Sequence, residues 1–197
     1  MFKSTHTLDE FLECEQRGAT SLLKHIFNTD LSHIPSGILK LAGERGTSVH
    51  ESIEKYFNTG EIDFFFEYKQ YRNGFEKFLE TVGEVEVLGL ELMCVTPHVK
   101  GVIDFVGVID GAITMIDWKT SSNMSGETRL NAELQLQLYA YMLKECYGVE
   151  LDKVAVVSIQ KDKFRRIDIE YDEGVALGLI STYLYKCRFV KHKREEK

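Results

Sequence analysis

Residues 102 to 120 read VIDFVGVIDGAITMIDWKT, and no other stretch restricts the fold as tightly. Two runs rich in Val and Ile flank Asp110-Gly111, a dipeptide that favours the positive backbone angles of a tight hairpin turn. The spacing predicts one strand over residues 100–109 and its antiparallel neighbour over 112–118. Each strand carries an aspartate inside its apolar run. Asp104 stands between Ile103 and Phe105, and Asp117 between Ile116 and Trp118. A carboxylate in such a run is costly to bury unless something neutralises it. A divalent cation, which prefers oxygen ligands, would do so. Asp110 lies in the turn and reads as structural.

The surrounding pattern extends this hairpin into a sheet. Residues 84–95 alternate and are rich in Val and Leu, predicting a preceding strand. Residues 153–160 and 164–171 make a further strand pair around Lys161-Asp162-Lys163. Helical signals fill the rest. Thr7-Leu8-Asp9-Glu10 fits a capping box opening a first helix. Val49, Ile53, Tyr56 and Phe57 fall at helical spacing within 41–57, as do Tyr68, Tyr71, Phe75 and Phe78 within 65–82. Further helices are expected near 131–147 and 173–190. The expected fold class is α/β, a mixed central sheet flanked by helices with an N-terminal helical region. The expected organisation is one domain over 1–197: a mainly helical part to residue 82, a sheet core over 84–171 with one crossing helix, and a C-terminal helix over 173–197.

Composition bounds the function class. With 197 residues, 44% apolar, 28% charged and only 2 prolines, the chain reads as an ordered globular protein with a full core. No apolar run is long enough for a membrane span, and MFKSTHTLDE lacks the apolar segment of a secretory signal, so no membrane partner and a cytoplasmic location are expected. Cys14, Cys94, Cys146 and Cys187 have no CxxC spacing, and the expectation is thiols without a disulfide framework. The net charge of −7 argues against nonspecific nucleic-acid binding. The tail over 186–197 is locally basic and reads as a solvated helix end.

Several residues can join the two aspartates. Asp117 and Lys119 are two apart, so on a strand they share a face. A lysine beside carboxylates can orient an attacking water and stabilise charge developing on a phosphate. A metal between Asp104 and Asp117 would lower the pKa of its water and polarise the phosphoryl group. The backbone carbonyl of Trp118 is a further candidate ligand. His50, one residue off the apolar stripe of its helix, can face the sheet end, and a neutral imidazole there is a candidate metal ligand. Gln135 and Tyr139 are four apart on a helix and share a face; alone, that spacing is more often packing than function.

In order, GTSVH, Glu91, GVID, DWKT and QLQLY resemble the PD-(D/E)XK nucleases in their RecB-like branch, over residues 43–142. The resemblance implies a restriction-endonuclease-like core. It makes Asp104 and Asp117 the central metal ligands, Lys119 the catalytic lysine and His50 an additional ligand. Gln135 and Tyr139 become a helix motif supporting the lysine or contacting DNA. Glu91 matches an acidic residue on the preceding strand, with Glu84 and Glu86 as alternatives. Arg45 and Thr120 are candidate DNA contacts.

The implied cofactor is Mg²⁺ or Mn²⁺, one or two per site. Departures from the family pattern narrow the expectation. Ile103 stands where the family name has proline. The late region has too few cysteines for the iron–sulfur cluster of some relatives, so none is expected. No Walker A loop is present. The implied function is a metal-dependent DNA exonuclease, phage-type and stand-alone or one subunit of a replication, recombination or repair assembly. Its expected partner is DNA, single-stranded or as duplex ends; oligomeric state is left open. The alternatives are a structure-specific endonuclease of the same fold and a non-catalytic DNA- or partner-binding module.

Overall fold

The computed structural model describes residues 1–29, 32, 34–124 and 126–195, with side chains to Arg188. The basic tail read from the sequence therefore lies largely outside the described side chains. The chain begins with a six-residue helix, α1 (Leu8–Glu13), opened by the capping box: Glu10 N donates to Thr7 Oγ1 and Thr7 N donates back to Glu10 Oε2. A two-residue strand β1 (Arg17–Gly18) leads into α2 (Ala19–Phe27). Then come α3 (Ser36–Thr59), a 3₁₀ turn (Phe66–Tyr71) running directly into α4 (Arg72–Val82), and the strands β2 (Val85–Val95), β3 (Val99–Ile109) and β4 (Ala112–Lys119). Helix α5 (Gly126–Tyr147) crosses to β5 (Lys153–Ile159), and β6 (Phe164–Ile169) and α6 (Glu173–Glu195) complete the chain.

Strand β3 is the spine of the sheet. It pairs antiparallel with β2 on one side and with β4 on the other, and its first residues also pair parallel with β1. The β4–α5–β5 crossover makes β4 and β5 parallel, and β6 returns antiparallel at the edge. The sheet is mixed and separates two cores. Helices α2, α5 and α6 bury Leu22, Leu136, Met142 and Ile180 against Ile103, Val106 and Met115. On the opposite face, α3 and α4 bury Val49, Ile53, Phe75 and Phe78 against Phe105, Ile116 and Trp118. Among the described residues no helix is long and apolar enough to cross a membrane.

Some boundaries differ from the periodicity, α5 among them, which begins at Gly126 rather than 131. Helix α3 begins five residues before 41, because its first turns carry exposed Ile38, Leu39 and Leu41 rather than a stripe against the core. The helix expected over 65–82 is a 3₁₀ turn followed by α4. The part before residue 82 also contributes the two-residue β1 to the sheet. Its neighbour α2 was not predicted, although Ala19, Leu22, Leu23 and Ile26 have the spacing of a buried helical stripe.

Candidate active site

Strands β3 and β4 pair from Ile109↔Ala112 back to Phe105↔Ile116 and then part. Beyond that point the backbone N–H of Trp118 donates to the Asp104 carboxylate, Oδ2, at 2.8 Å. A side chain thus replaces a ladder bond and holds the strands open. β4 itself stays rigid, because Asp117, Trp118 and Lys119 remain paired with β5. Residue alternation places Ile116 and Trp118 in the α3/α4 core. There the Trp118 ring meets Phe78 and Phe105 at centroid distances of 5.1 and 6.0 Å. Asp117 and Lys119 consequently project together on the α2/α5 side, where Asp117 Oδ2 lies 2.6 Å from Lys119 Nζ. Asp117 is 2% exposed, and that oxygen has no other hydrogen-bond donor among the described residues.

Three elements bring ligating atoms to the mouth of the opening. His50 on α3 places Nε2 2.8 Å from the Trp118 carbonyl and Nδ1 3.5 Å from Asp104 Oδ2. Glu91 arrives from β2, between the register pairs Leu90↔Phe105 and Leu92↔Ile103, and so stands opposite Asp104. Its φ is +44°, a left-handed conformation that costs a residue with a Cβ on the order of 1 kcal/mol. The register shift between Val87 and Gly89 precedes it on the same strand. His50, Glu91 and Asp104 offer ligand atoms all within 4.8 Å of one another, an arrangement able to hold a metal ion. Glu84 and Glu86 instead lie at the far end of β2, beside the Asp110-Gly111 turn.

The electrostatics of the group are set by burial and by the crowding of carboxylates. Burial pushes the Glu91 carboxyl up to about 8, and Asp104, Glu54 and Asp117 add to the shift. Burial and the Asp117 charge push Asp104 up to about 6, against opposing contributions from His50, Lys119 and the Trp118 N–H. Burial opposes the charged form of Lys119, but Asp117 and Asp104 outweigh it, and the ammonium is held above its ordinary range. Carboxylates crowded this way are relieved by a cation.

Helix α5 supplies the support. Gln135 Nε2 donates to the Tyr139 hydroxyl at 2.7 Å, leaving the phenol proton free to donate. Burial, reinforced by Asp117 and Asp104, raises the Tyr139 phenol and keeps it neutral. The ring needs Gly101 on β3: a Cβ there would lie 2.7 Å from Tyr139 Cε1 and 2.9 Å from Met142 Cε. Gly101→Val is expected to displace Tyr139 and to destabilise the fold by about 1–3 kcal/mol, measured by urea denaturation. Lys119 and Gln135 also line a cavity of about 220 Å³ with Thr20 and Lys24 of α2, residues that the sequence reading missed. Arg45, one turn before His50 on α3, donates through Nε to Thr120 Oγ1 at 3.3 Å.

Comparison with known proteins gives this arrangement its class. The profile of the PD-(D/E)XK nuclease superfamily matches residues 64–177, and the chain belongs to that superfamily. Its mixed sheet between helical layers is the restriction-endonuclease-like fold. Solved structures that it resembles include a phage-related exonuclease from Haemophilus somnus 129PT, at 13% identity over 88% of this chain and 92% of that one, TM-score 0.47. An alkaline exonuclease from Laribacter hongkongensis matches at 12% identity over 92% of this chain and 94% of that one, TM-score 0.44. No curated protein matches the chain.

Proposed function

We propose that the protein is a divalent-metal-dependent DNA exonuclease whose site is built from His50, Glu91, Asp104, Asp117 and Lys119. The observation that carries this reading is the convergence, at the parted end of β3 and β4, of a metal-competent His50/Glu91/Asp104 group with the Asp117–Lys119 pair. The donor set fits a hard cation such as Mg²⁺ or Mn²⁺: carboxylate oxygens, one imidazole, and the nearby Trp118 carbonyl. The buried Asp117 carboxylate is balanced by the Lys119 ammonium, so the charge left for a cation is that of Glu91 and Asp104. When bound, such an ion polarises a phosphoryl oxygen and makes its water more acidic.

The chain's own groups perform the rest. Lys119 stays protonated, so its part is to orient the attacking water and stabilise charge on the phosphate rather than to accept a proton. Asp117 fixes the ammonium. Asp104 ties Trp118 in place and so sets the direction of both neighbours. Tyr139, braced by Gln135, presents a neutral hydroxyl donor. The cavity between Lys119, Lys24 and Gln135 receives the phosphate of a strand end.

The test compares end-labelled linear DNA with covalently closed circular DNA in Mg²⁺ or Mn²⁺. The expected outcome is progressive release of short products from linear DNA and an intact circle. Cleavage of the circle at a comparable rate would replace the exonuclease assignment with an endonuclease of the same fold. Cleavage of neither would leave a nucleic-acid-binding module.

A further inference from the structure

We propose that the turn between β5 and β6 is a second phosphate-binding subsite, which grips the DNA backbone next to the catalytic centre through Lys161 and Lys163. The inference deepens the nuclease reading and rests on it for the identity of the ligand.

The turn is built to a fixed position. Helix α4 carries Gly74 on the face toward it, and a Cβ there would lie 2.1 Å from the Gln160 carbonyl oxygen and 2.6 Å from that of Lys163. Glycine inside a helix costs about 1 kcal/mol relative to alanine, so the close approach is made at the expense of helix stability. Its neighbours complete the clamp. Asn73 Nδ2 donates to Asp162 Oδ1 at 3.0 Å, and Lys77 Nζ donates to the Asp162 carbonyl at 2.6 Å. Gln160 N closes the turn on the Lys163 carbonyl at 2.9 Å. One oxygen of the Asp162 carboxylate is held by the Asn73 amide, and Lys161, Asp162 and Lys163 are all exposed.

Both lysines border a cavity of about 490 Å³ whose other wall carries Arg45, Thr120 and Ser121. Arg45 is aimed by its bond to Thr120, the residue after Lys119, so the cavity adjoins the catalytic lysine along the chain. Three cations against the single carboxylate of Asp162, with the hydroxyls of Thr120, Ser121 and Ser122 beside them, leave this space locally positive on a chain of net charge −7 and mark a phosphate site against an otherwise repulsive field. A strand whose scissile phosphate sits at Lys119 would pass over the end of β4 and set a further phosphate between Arg45 and the turn.

The experiment measures equilibrium binding of a fluorescein-labelled single-stranded DNA 12-mer by anisotropy, in Ca²⁺, from 50 to 200 mM salt. Lys161→Ala/Lys163→Ala is expected to weaken binding roughly tenfold and to reduce the slope of log affinity against log salt by about 1.4, two single-strand contacts' worth. Gly74→Ala, which alters no charge, is expected to weaken binding by displacing the turn, and its fold is checked by circular dichroism. Lys153→Ala, at the opposite end of β5, is the control and binds as wild type. Unchanged affinity and salt slope in the double lysine variant overturn the subsite. A protein that binds the 12-mer through these lysines but cuts nothing keeps the subsite and rejects the nuclease reading, so the two failures are separable.

Discussion

Lys119→Met slows hydrolysis of linear DNA roughly a thousandfold, equivalent to about 4 kcal/mol of transition-state stabilisation. The expectation follows from position and charge together. Lys119 Nζ sits 2.6 Å from Asp117 Oδ2, on a strand segment fixed by pairing with β5. Its ammonium is held in the charged form by two carboxylates. Methionine keeps the length and removes the charge, so what is lost is the electrostatic contribution. Because Lys119 is outside the His50/Glu91/Asp104 group, the variant still binds Mn²⁺ in calorimetry. A variant that binds Mn²⁺ and cuts as fast as wild type removes the lysine from the mechanism.

The second large effect is the coupling of metal affinity to pH. Glu91 is pushed up to about 8 and Asp104 to about 6, and each must lose its proton to bind a cation. Between pH 8 and pH 6 one proton is displaced, so Mn²⁺ affinity falls roughly tenfold per unit of acidification. Below pH 6 two protons are displaced, and the fall approaches a hundredfold per unit. The stability of the metal-free protein runs the other way. From the ordinary glutamate value of 4.5 to about 8, the folded state holds a Glu91 proton that the unfolded chain has lost. Stability is therefore greatest below that window and declines as pH rises through it, and added Mn²⁺ raises the melting temperature more at pH 8 than at pH 6. Calorimetry in buffers of differing ionisation enthalpy counts the protons released. Equal affinity at pH 6 and 8 contradicts a Glu91/Asp104 site.

Much of the fold was legible because it rests on short-range signals. Asp110-Gly111 set the β3–β4 hairpin, and alternation placed Asp117 and Lys119 on one face with Trp118 on the other. What was not legible depends on long-range geometry. Alternation sets Glu91 on the face opposite Glu84 and Glu86, but it does not say which face looks at Asp104, and the register shift between Val87 and Gly89 breaks the alternation between them. The position of Glu91 opposite Asp104 emerges from the register of β2 on β3, and its positive φ is a tertiary imposition. The sequence pairs Asp117 with Asp104 as metal ligands; the structure adds that the Asp117 carboxylate meets the Lys119 ammonium, while His50 and Glu91 bring ligand atoms together with Asp104. The parting of β3 and β4 is likewise invisible in a run of apolar residues, because it depends on a single backbone N–H choosing a side chain over a strand. Helix α2 escaped notice for a different reason. It is only nine residues long, so its stripe of Ala19, Leu22, Leu23 and Ile26 spans just over two turns.

Dependence of catalysis on a metal held by Asp104 is tested by hydrolysis of end-labelled linear DNA by protein first stripped with EDTA and then titrated with Mn²⁺, beside Asp104→Asn treated identically. The stripped protein is expected to cut nothing and to cut fully once Mn²⁺ is added, and Asp104→Asn to stay inactive with Mn²⁺. Cleavage that persists in EDTA, or an Asp104→Asn variant that Mn²⁺ restores to the wild-type rate, would rule out a metal held by Asp104.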